Sequence, residues 1–298
     1  MRRAVILNTR SGTAPSEQEL RDALAQGGLE ADVVPLPAGS ADGLARIAER
    51  YDVLIAAGGD GTVSTVAAAA ARAGKTFGVI PAGTLNHFAR DSGIPFEKDK
   101  AIAVIAAGHT RTLDIGEVNG LIFINNASIG AYPRMVWERN RARRSGLPRP
   151  IAMPLAVIRT WLALRTVTAR LTVDGKELIR RSPFLFIGNS EYEIEGFEIG
   201  KRPTMTDGRL ALYVAPESGR WDVIALPVRA LLRKIDDGAL EVFRAASISM
   251  ETPRHRVSVA LDGEIRMLDA PLRFSVQSKV LRTIVPAPET KRETGEGA

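Results

Sequence analysis

The sequence predicts an α/β protein of two domains: an N-terminal three-layer unit built on a parallel sheet, then a C-terminal antiparallel, β-rich and sandwich-like unit. Three observations predict it. In the first third of the chain short, wholly apolar runs alternate with helical segments, the pattern of buried parallel strands joined by crossover helices. Beyond about Leu113 the apolar runs alternate with polar residues and are bounded by glycine, proline and charge, as in antiparallel sheets. The length of 298 residues favours two hydrophobic cores over one.

Taken in order, Ala4–Leu7 stops at NTRSG and Val53–Ala57 stops at GGDGT, so each reads as a buried strand ending in a polar turn. Between them lie an amphipathic segment, Ser16–Gln26, a strand near Ala31–Leu36 and a helical stretch, Ala41–Glu49. The alanine-rich Val63–Ala73 predicts a helix directly after the glycines, and Thr76–Ile80 a strand that ends at Pro81. In the second part the strand candidates are Leu121–Asn125, Ala169–Val173, Phe184–Gly188, Leu210–Val214, Ile248–Glu251, Val257–Leu261 and Leu272–Val276. A helix around Trp221–Leu232 and the segment Pro154–Leu164 interrupt them. The expected boundaries are 1–115 for the first domain, completed by part of 281–288, and 116–280 for the second. The tail 289–298 lacks large apolar side chains and is expected to be disordered.

Composition narrows the chemistry. With no cysteine there are no disulfides, thiolate metal sites or thiol nucleophiles, so any metal is held by oxygen. The apolar run in MRRAVILNTR is too short for a secretory signal, and Ile151–Ile158 is cut by Pro154 and then Arg159, so the expectation is a cytoplasmic chain that does not span a membrane. A net charge of +6 favours polyanionic partners. It is most uneven at Arg134–Arg149, where six arginines stand against the single Glu138; a solvated face or a contact with anionic lipid headgroups both account for it. No nucleic-acid-binding module is present, and nucleic acid is not an expected partner.

Two motifs carry the chemistry. In GGDGT, Gly58, Gly59 and Gly61 let backbone amides approach a ligand closely, and the following helix turns its positive end toward phosphate. Asp60 within this cradle would repel bare phosphate, so it points to an intervening Mg²⁺ or to activation of an attacking hydroxyl; the plain alternative is a helix N-cap. PAGTLNHFAR at 81–90 is a second tight turn, with Gly83, Thr84 and Asn86 at its centre. Two such turns at neighbouring strand ends share the carboxyl edge of one sheet, where ligands bind in open α/β folds. Near the C-terminus, LDGE offers Asp262 and Glu264 as carboxylates, or simply a D-G hairpin turn. His87, His109 and His255 are scattered without zinc-ligand spacing, and no serine sits in a G-x-S-x-G elbow.

NTRSG, GGDGT and PxGTxNxxAR, in this order, resemble the catalytic domain of the diacylglycerol and sphingosine kinase superfamily, which is related to NAD kinases. The likeness continues through FINNASIGAYPR, EIGKRPTMTDGRLALYV and ALDGE, and is nearest to the bacterial diacylglycerol kinase family. It implies an ATP-dependent kinase that transfers the γ-phosphate to a hydroxyl of a membrane lipid, with Mg²⁺; an NAD kinase-like activity on a soluble acceptor and a non-catalytic binding protein are the alternatives. It further implies that Asn8, Ser11, Gly12, Gly58, Gly59, Asp60, Gly61, Thr62, Gly83, Thr84 and Asn86 line the nucleotide site. Asp207, with backbone carbonyls such as those of Thr204 and Arg209, would hold a structural Mg²⁺. Glu264, with Asp262 beside it, would serve the reacting hydroxyl, Glu264 as base. The resemblance also implies transient association with a membrane surface, and it allows a homodimer.

Overall fold

The structure is a computed structural model that describes residues 1–9, 15–37, 40–144, 151, 155, 159, 166–195, 198–199, 202–215 and 240–288. It divides into two compact units, one formed by Met1–Arg111 with the chain from Arg282 onward, the other by Thr112–Leu281. The helix expected around Trp221–Leu232 and the interrupting segment Pro154–Leu164 lie almost wholly outside the described residues, as does the tail 289–298.

The first unit alternates strand and helix: β1 (Arg3–Leu7), α1 (Glu17–Gln26), β2 (Asp32–Pro35), α2 (Ser40–Arg50), β3 (Val53–Gly58), α3 (Asp60–Arg72), β4 (Thr76–Pro81), α4 (His87–Asp91) and α5 (Lys98–Ala107). The strands are parallel in the order β2-β1-β3-β4, and Thr283 extends the sheet beside Phe77. Crossover helices cover both faces, so the central strands carry no polar side: Ala4–Leu7 and Val53–Ala57 are all at most 1% exposed. Alternate strand residues serve different layers. Val5, Leu7, Ile55 and Ala57 pack with Leu20, Leu24, Ile102 and Ile105 of α1 and α5, while α2 and α3 lie together in another layer. Ser16 starts α1 with a reciprocal capping box to Glu19.

The second unit continues through β5 (Thr110–Val118), β6 (Leu121–Phe123), β7 (Asn126–Gly130), α6 (Ala131–Arg144), β8 (Val167–Val173), β9 (Lys176–Ser182), β10 (Phe184–Asn189), β11 (Ile194–Glu195), β12 (Glu198–Ile199), β13 (Leu210–Val214), β14 (Glu241–Ala245), β15 (Ser247–Glu251), β16 (Arg256–Leu261), β17 (Glu264–Asp269) and β18 (Leu272–Ile284). One antiparallel sheet runs β14-β13-β10-β7-β16-β17, and a second set runs β18-β15-β8-β9. Alternate residues of both meet in one core: Ala127, Ile129, Leu185, Ile187, Leu212 and Val259 from the first, Leu171, Ile248, Met250, Leu272 and Phe274 from the second. On the other face of the first sheet, Phe186 makes edge-on contacts with Tyr192 and Tyr213 at 5.6 Å.

Candidate active site

β3 and β4 run in register with Gly58 opposite Pro81, so the two glycine turns leave the sheet side by side. Their backbones touch. A Cβ on Gly83 would lie 2.6 Å from Gly59 Cα, and one on Gly58 would lie 2.7 Å from Thr62 Oγ1, so neither position accepts a side chain. Asp60 is the first residue of α3, whose N-cap is Gly59. Its carboxylate does not cap α3. It reaches across to the second turn, where Oδ1 accepts the His87 N–H at 2.8 Å and Oδ2 the Asn86 N–H at 3.1 Å. Asp60 therefore caps α4 and ties GGDGT to PAGTLN. Asn86, in the left-handed region at φ 49, braces its own turn by accepting the Gly83 N–H and donating to the Gly83 carbonyl. At the end of β1, Asn8 Nδ2 donates to Thr62 Oγ1 at 3.0 Å.

The first-turn N–H groups of Gly61 and Thr62 have no hydrogen-bond partner among the described residues, because a helix start has no preceding carbonyls to accept them. Two unpartnered donors at the positive end of α3, unhindered by side chains on Gly58 and Gly59, make a seat for an anion. Thr84 is exposed beside it. Ser11 and Gly12 lie outside the described residues.

In the second unit Asp262 and Gly263 form the two-residue turn between β16 and β17, both at positive φ, with Leu261 opposite Glu264. The Asp262 carboxylate accepts three backbone amides, from Ile124 at 2.9 Å, Asn125 at 2.8 Å and Asn126 at 3.0 Å. The other side of the same stretch is held by Arg202, 3% exposed, which donates to the Ile124 carbonyl at 2.7 Å and to Asn125 Oδ1 at 3.0 Å. Asn189 adds a bond to the Ile124 carbonyl at 3.1 Å, and the Arg202 guanidinium lies 5.5 Å from the Tyr192 ring centre. Residues 124–126 are thus gripped through their amides by an anion and through their oxygens by a cation. Glu264, by contrast, is half exposed and meets only Arg266, at 2.8 Å, among the described residues.

Asp207 is exposed, and its Oδ1 accepts from Ser190 Oγ at 2.8 Å. The neighbouring Gly208 N–H is held by Asp114, which is 2% exposed and also accepts the Lys279 N–H, both at 2.7 Å. Thr204 Oγ1 lies 3.2 Å from Thr206 Oγ1, and the Arg209 carbonyl accepts the Ser190 N–H. Among the described residues no three His, Cys, Asp or Glu side chains are grouped to hold a metal. The oxygen donors at Asp207 fit a largely hydrated Mg²⁺ rather than a closed cage. Sequence reasoning missed Asp114, Asn189 and Arg202. Asp114 had a signal, a lone carboxylate in the apolar LDIG run; Arg202 had none.

The pattern of the diacylglycerol kinase catalytic domain matches residues 2–118, and that of the YegS C-terminal NAD kinase beta sandwich-like domain matches residues 128–285. The chain belongs to the diacylglycerol kinase family. It is 31% identical over 219 residues to a diacylglycerol kinase of Bacillus subtilis strain 168, covering 72% of this chain and 71% of that one. A diacylglycerol kinase of Staphylococcus aureus, strain bovine RF122 / ET3-1, is 30% identical over 226 residues, covering 73% and 71%. The fold matches the crystal structure of a diacylglycerol kinase from Bacillus anthracis strain Sterne with a TM-score of 0.73 over 96% of this chain and 97% of that one, at 24% identity. As a member of this family the chain is a kinase, a phosphotransferase acting on an alcohol acceptor. Among the described residues no helix is long and apolar enough to cross a membrane.

Proposed function

We propose that the protein is an ATP-dependent lipid kinase that phosphorylates a hydroxyl of a diacylglycerol-like membrane lipid. The observation that carries this reading is the pair of glycine turns braced by Asp60, with the Gly61 and Thr62 amides unpartnered among the described residues at the start of α3. Such a seat suits the phosphates of a nucleotide. Asn8, Gly58, Gly59, Gly83, Thr84 and Asn86 complete its walls, and Ser11 and Gly12 are assigned to it from the sequence alone. In the transfer the acceptor oxygen forms a bond to the γ-phosphorus, the bond from that phosphorus to the β–γ bridging oxygen breaks, and ADP leaves. The hydroxyl proton passes to a carboxylate.

For that carboxylate we favour Glu264 over Asp262. The oxygens of Asp262 are engaged with three amides, whereas Glu264 is exposed and held by a single arginine. Bound Mg²⁺ would neutralise phosphate charge, and Asp207, supported by Ser190 and with the Thr204 and Arg209 carbonyls near it in sequence, is the residue assigned to a cation. The protein would work at a membrane surface in the cytoplasm, its contact supplied by arginines of the 134–149 stretch. Of these, Arg134 and Arg141 are described in full, while the side chains of Arg139, Arg143, Arg144 and Arg149 are not.

The deciding experiment is incubation with γ-labelled ATP, Mg²⁺ and a lipid mixture containing diacylglycerol, followed by organic extraction. Label in the organic phase is the expected result. Label that appears only in NADP when NAD is supplied would replace the lipid acceptor with a soluble one, and binding without transfer to either would make this a non-catalytic member of the family.

A further inference from the structure

At one end of the second unit a groove of about 700 Å³ is walled by the end of β7, the first turns of α6, the start of β8 and the turn between β15 and β16. Among the described residues its charged lining consists of Arg134, Arg254 and Arg256, with no carboxylate. Arg256 lies 3.6 Å from Asp269 in an exposed, weakly held pair. The guanidinium groups of Arg134 and Arg254 have no ion-pair partner among the described residues and stand in solvent. The first turn of α6 adds the positive end of a helix 14 residues long. The rest of the lining is mainly apolar, and Pro133 and the half-exposed Trp137 lie on one wall. Arg141 stacks on Trp137 at 5.3 Å, placing a further cation over the ring.

Cations without counter-ions favour an anion, and an apolar wall beside them favours hydrocarbon. A soluble phosphate compound would leave Trp137 and Pro133 in water, and a neutral lipid would leave Arg134 and Arg254 unanswered. We propose that this groove binds one molecule of an anionic phospholipid, its phosphate among Arg134, Arg254 and Arg256 and the upper part of its acyl chains against Pro133 and Trp137. The occupant is a constituent of the surface and not the neutral acceptor that is phosphorylated. The inference deepens the lipid-kinase reading and takes from it only the membrane setting.

The test is nucleotide-free sedimentation with vesicles of phosphatidylcholine alone or mixed with phosphatidylglycerol. The expected result is retention by the mixed vesicles, weakened roughly tenfold or more in an Arg134→Gln, Arg254→Gln, Arg256→Gln protein. Lys176→Gln with Arg273→Gln and Lys279→Gln, removing the same charge from β9 and β18, should retain most of the binding. Equal losses in the two triple variants would reduce the effect to net charge and overturn the proposal. So would binding that glycerol phosphate in solution abolishes at concentrations below those of the vesicle lipid. Arg254→Gln alone, in an exposed turn, guards against misfolding of the triple variant and should still weaken retention; unchanged retention counts against the groove. Because no ATP is present, failure here leaves the labelled-transfer result standing, and absence of transfer leaves this binding standing.

Discussion

Asp60 has both carboxylate oxygens committed to backbone amides of the second turn, so its removal acts on structure and chemistry together. Asp60→Ala should lower stability by about 1–2 kcal/mol in urea unfolding, the cost of an uncapped helix start. Transfer should fall roughly 100-fold or more if the seat proposed for phosphate depends on the same contact. Normal labelled transfer by this variant would remove Asp60 from the site. Gly83→Ala tests the close approach of the turns: its Cβ meets the Gly59 backbone at 2.6 Å, and equilibrium dialysis should show nucleotide affinity reduced at least tenfold. Glu264→Gln is expected to lower kcat by roughly 10²–10⁴-fold with little change in KM or melting temperature. A wild-type kcat in that protein would mean that the base lies elsewhere.

Among the elements, the stretch joining β6 to β7 depends on two opposite charges, one on its amides and one on its oxygens. Asp262 holds its amides and Arg202 its oxygens, so either charge left alone faces buried peptide dipoles. Asp262→Asn should therefore destabilise the protein by about 2 kcal/mol, visible as a lower urea midpoint, and slow transfer indirectly by loosening the turn that carries Glu264. The contrast with Glu264→Gln is the useful measurement. Loss of activity without loss of stability at Asp262 would show that its carboxylate takes part in the reaction. On β13, burial pushes the Tyr213 phenol up to about 12, while its oxygen accepts the Tyr192 N–H. A raised folded-state value means that the stabilisation is complete below the ordinary tyrosine value near 10 and is lost as pH climbs toward 12. Tyr213→Phe should flatten that part of an alkaline unfolding profile.

For the whole molecule, the sheet architecture was largely legible in the amino-acid pattern because burial on both faces erases alternation, whereas burial on one face produces it. Ala4–Leu7 and Val53–Ala57 belong to the first kind, and Ala169–Val173 to the second. Less legible were the polar ends of strands. Strand β9, KELIRRS, is an edge with alternating but strongly charged composition, and α6 was obscured because its arginines suit a loop as well as a helix. In the candidate site the glycines were readable, since a missing side chain leaves a mark in the sequence. The partners of Asp262 were not, because backbone amides are present at every residue and nothing in the letters Ile124, Asn125 and Asn126 distinguishes those that bind a carboxylate. Arg202 is hidden for a similar reason: its acceptors are carbonyl oxygens and an amide, and no acidic residue announces a buried guanidinium.

The bridge from Asp60 to Asn86 and His87 also bears on how an inactive form of this enzyme should be made for cell biology. A substitution at position 60 yields a protein whose second turn has lost its anchor, so a phenotype could arise from misfolding, from altered turnover or from lost catalysis alike. Glu264, on a solvent-facing hairpin and attached to one neighbouring arginine, can be neutralised with the scaffold left intact. If Glu264→Gln abolishes transfer as expected, it is the better inert control.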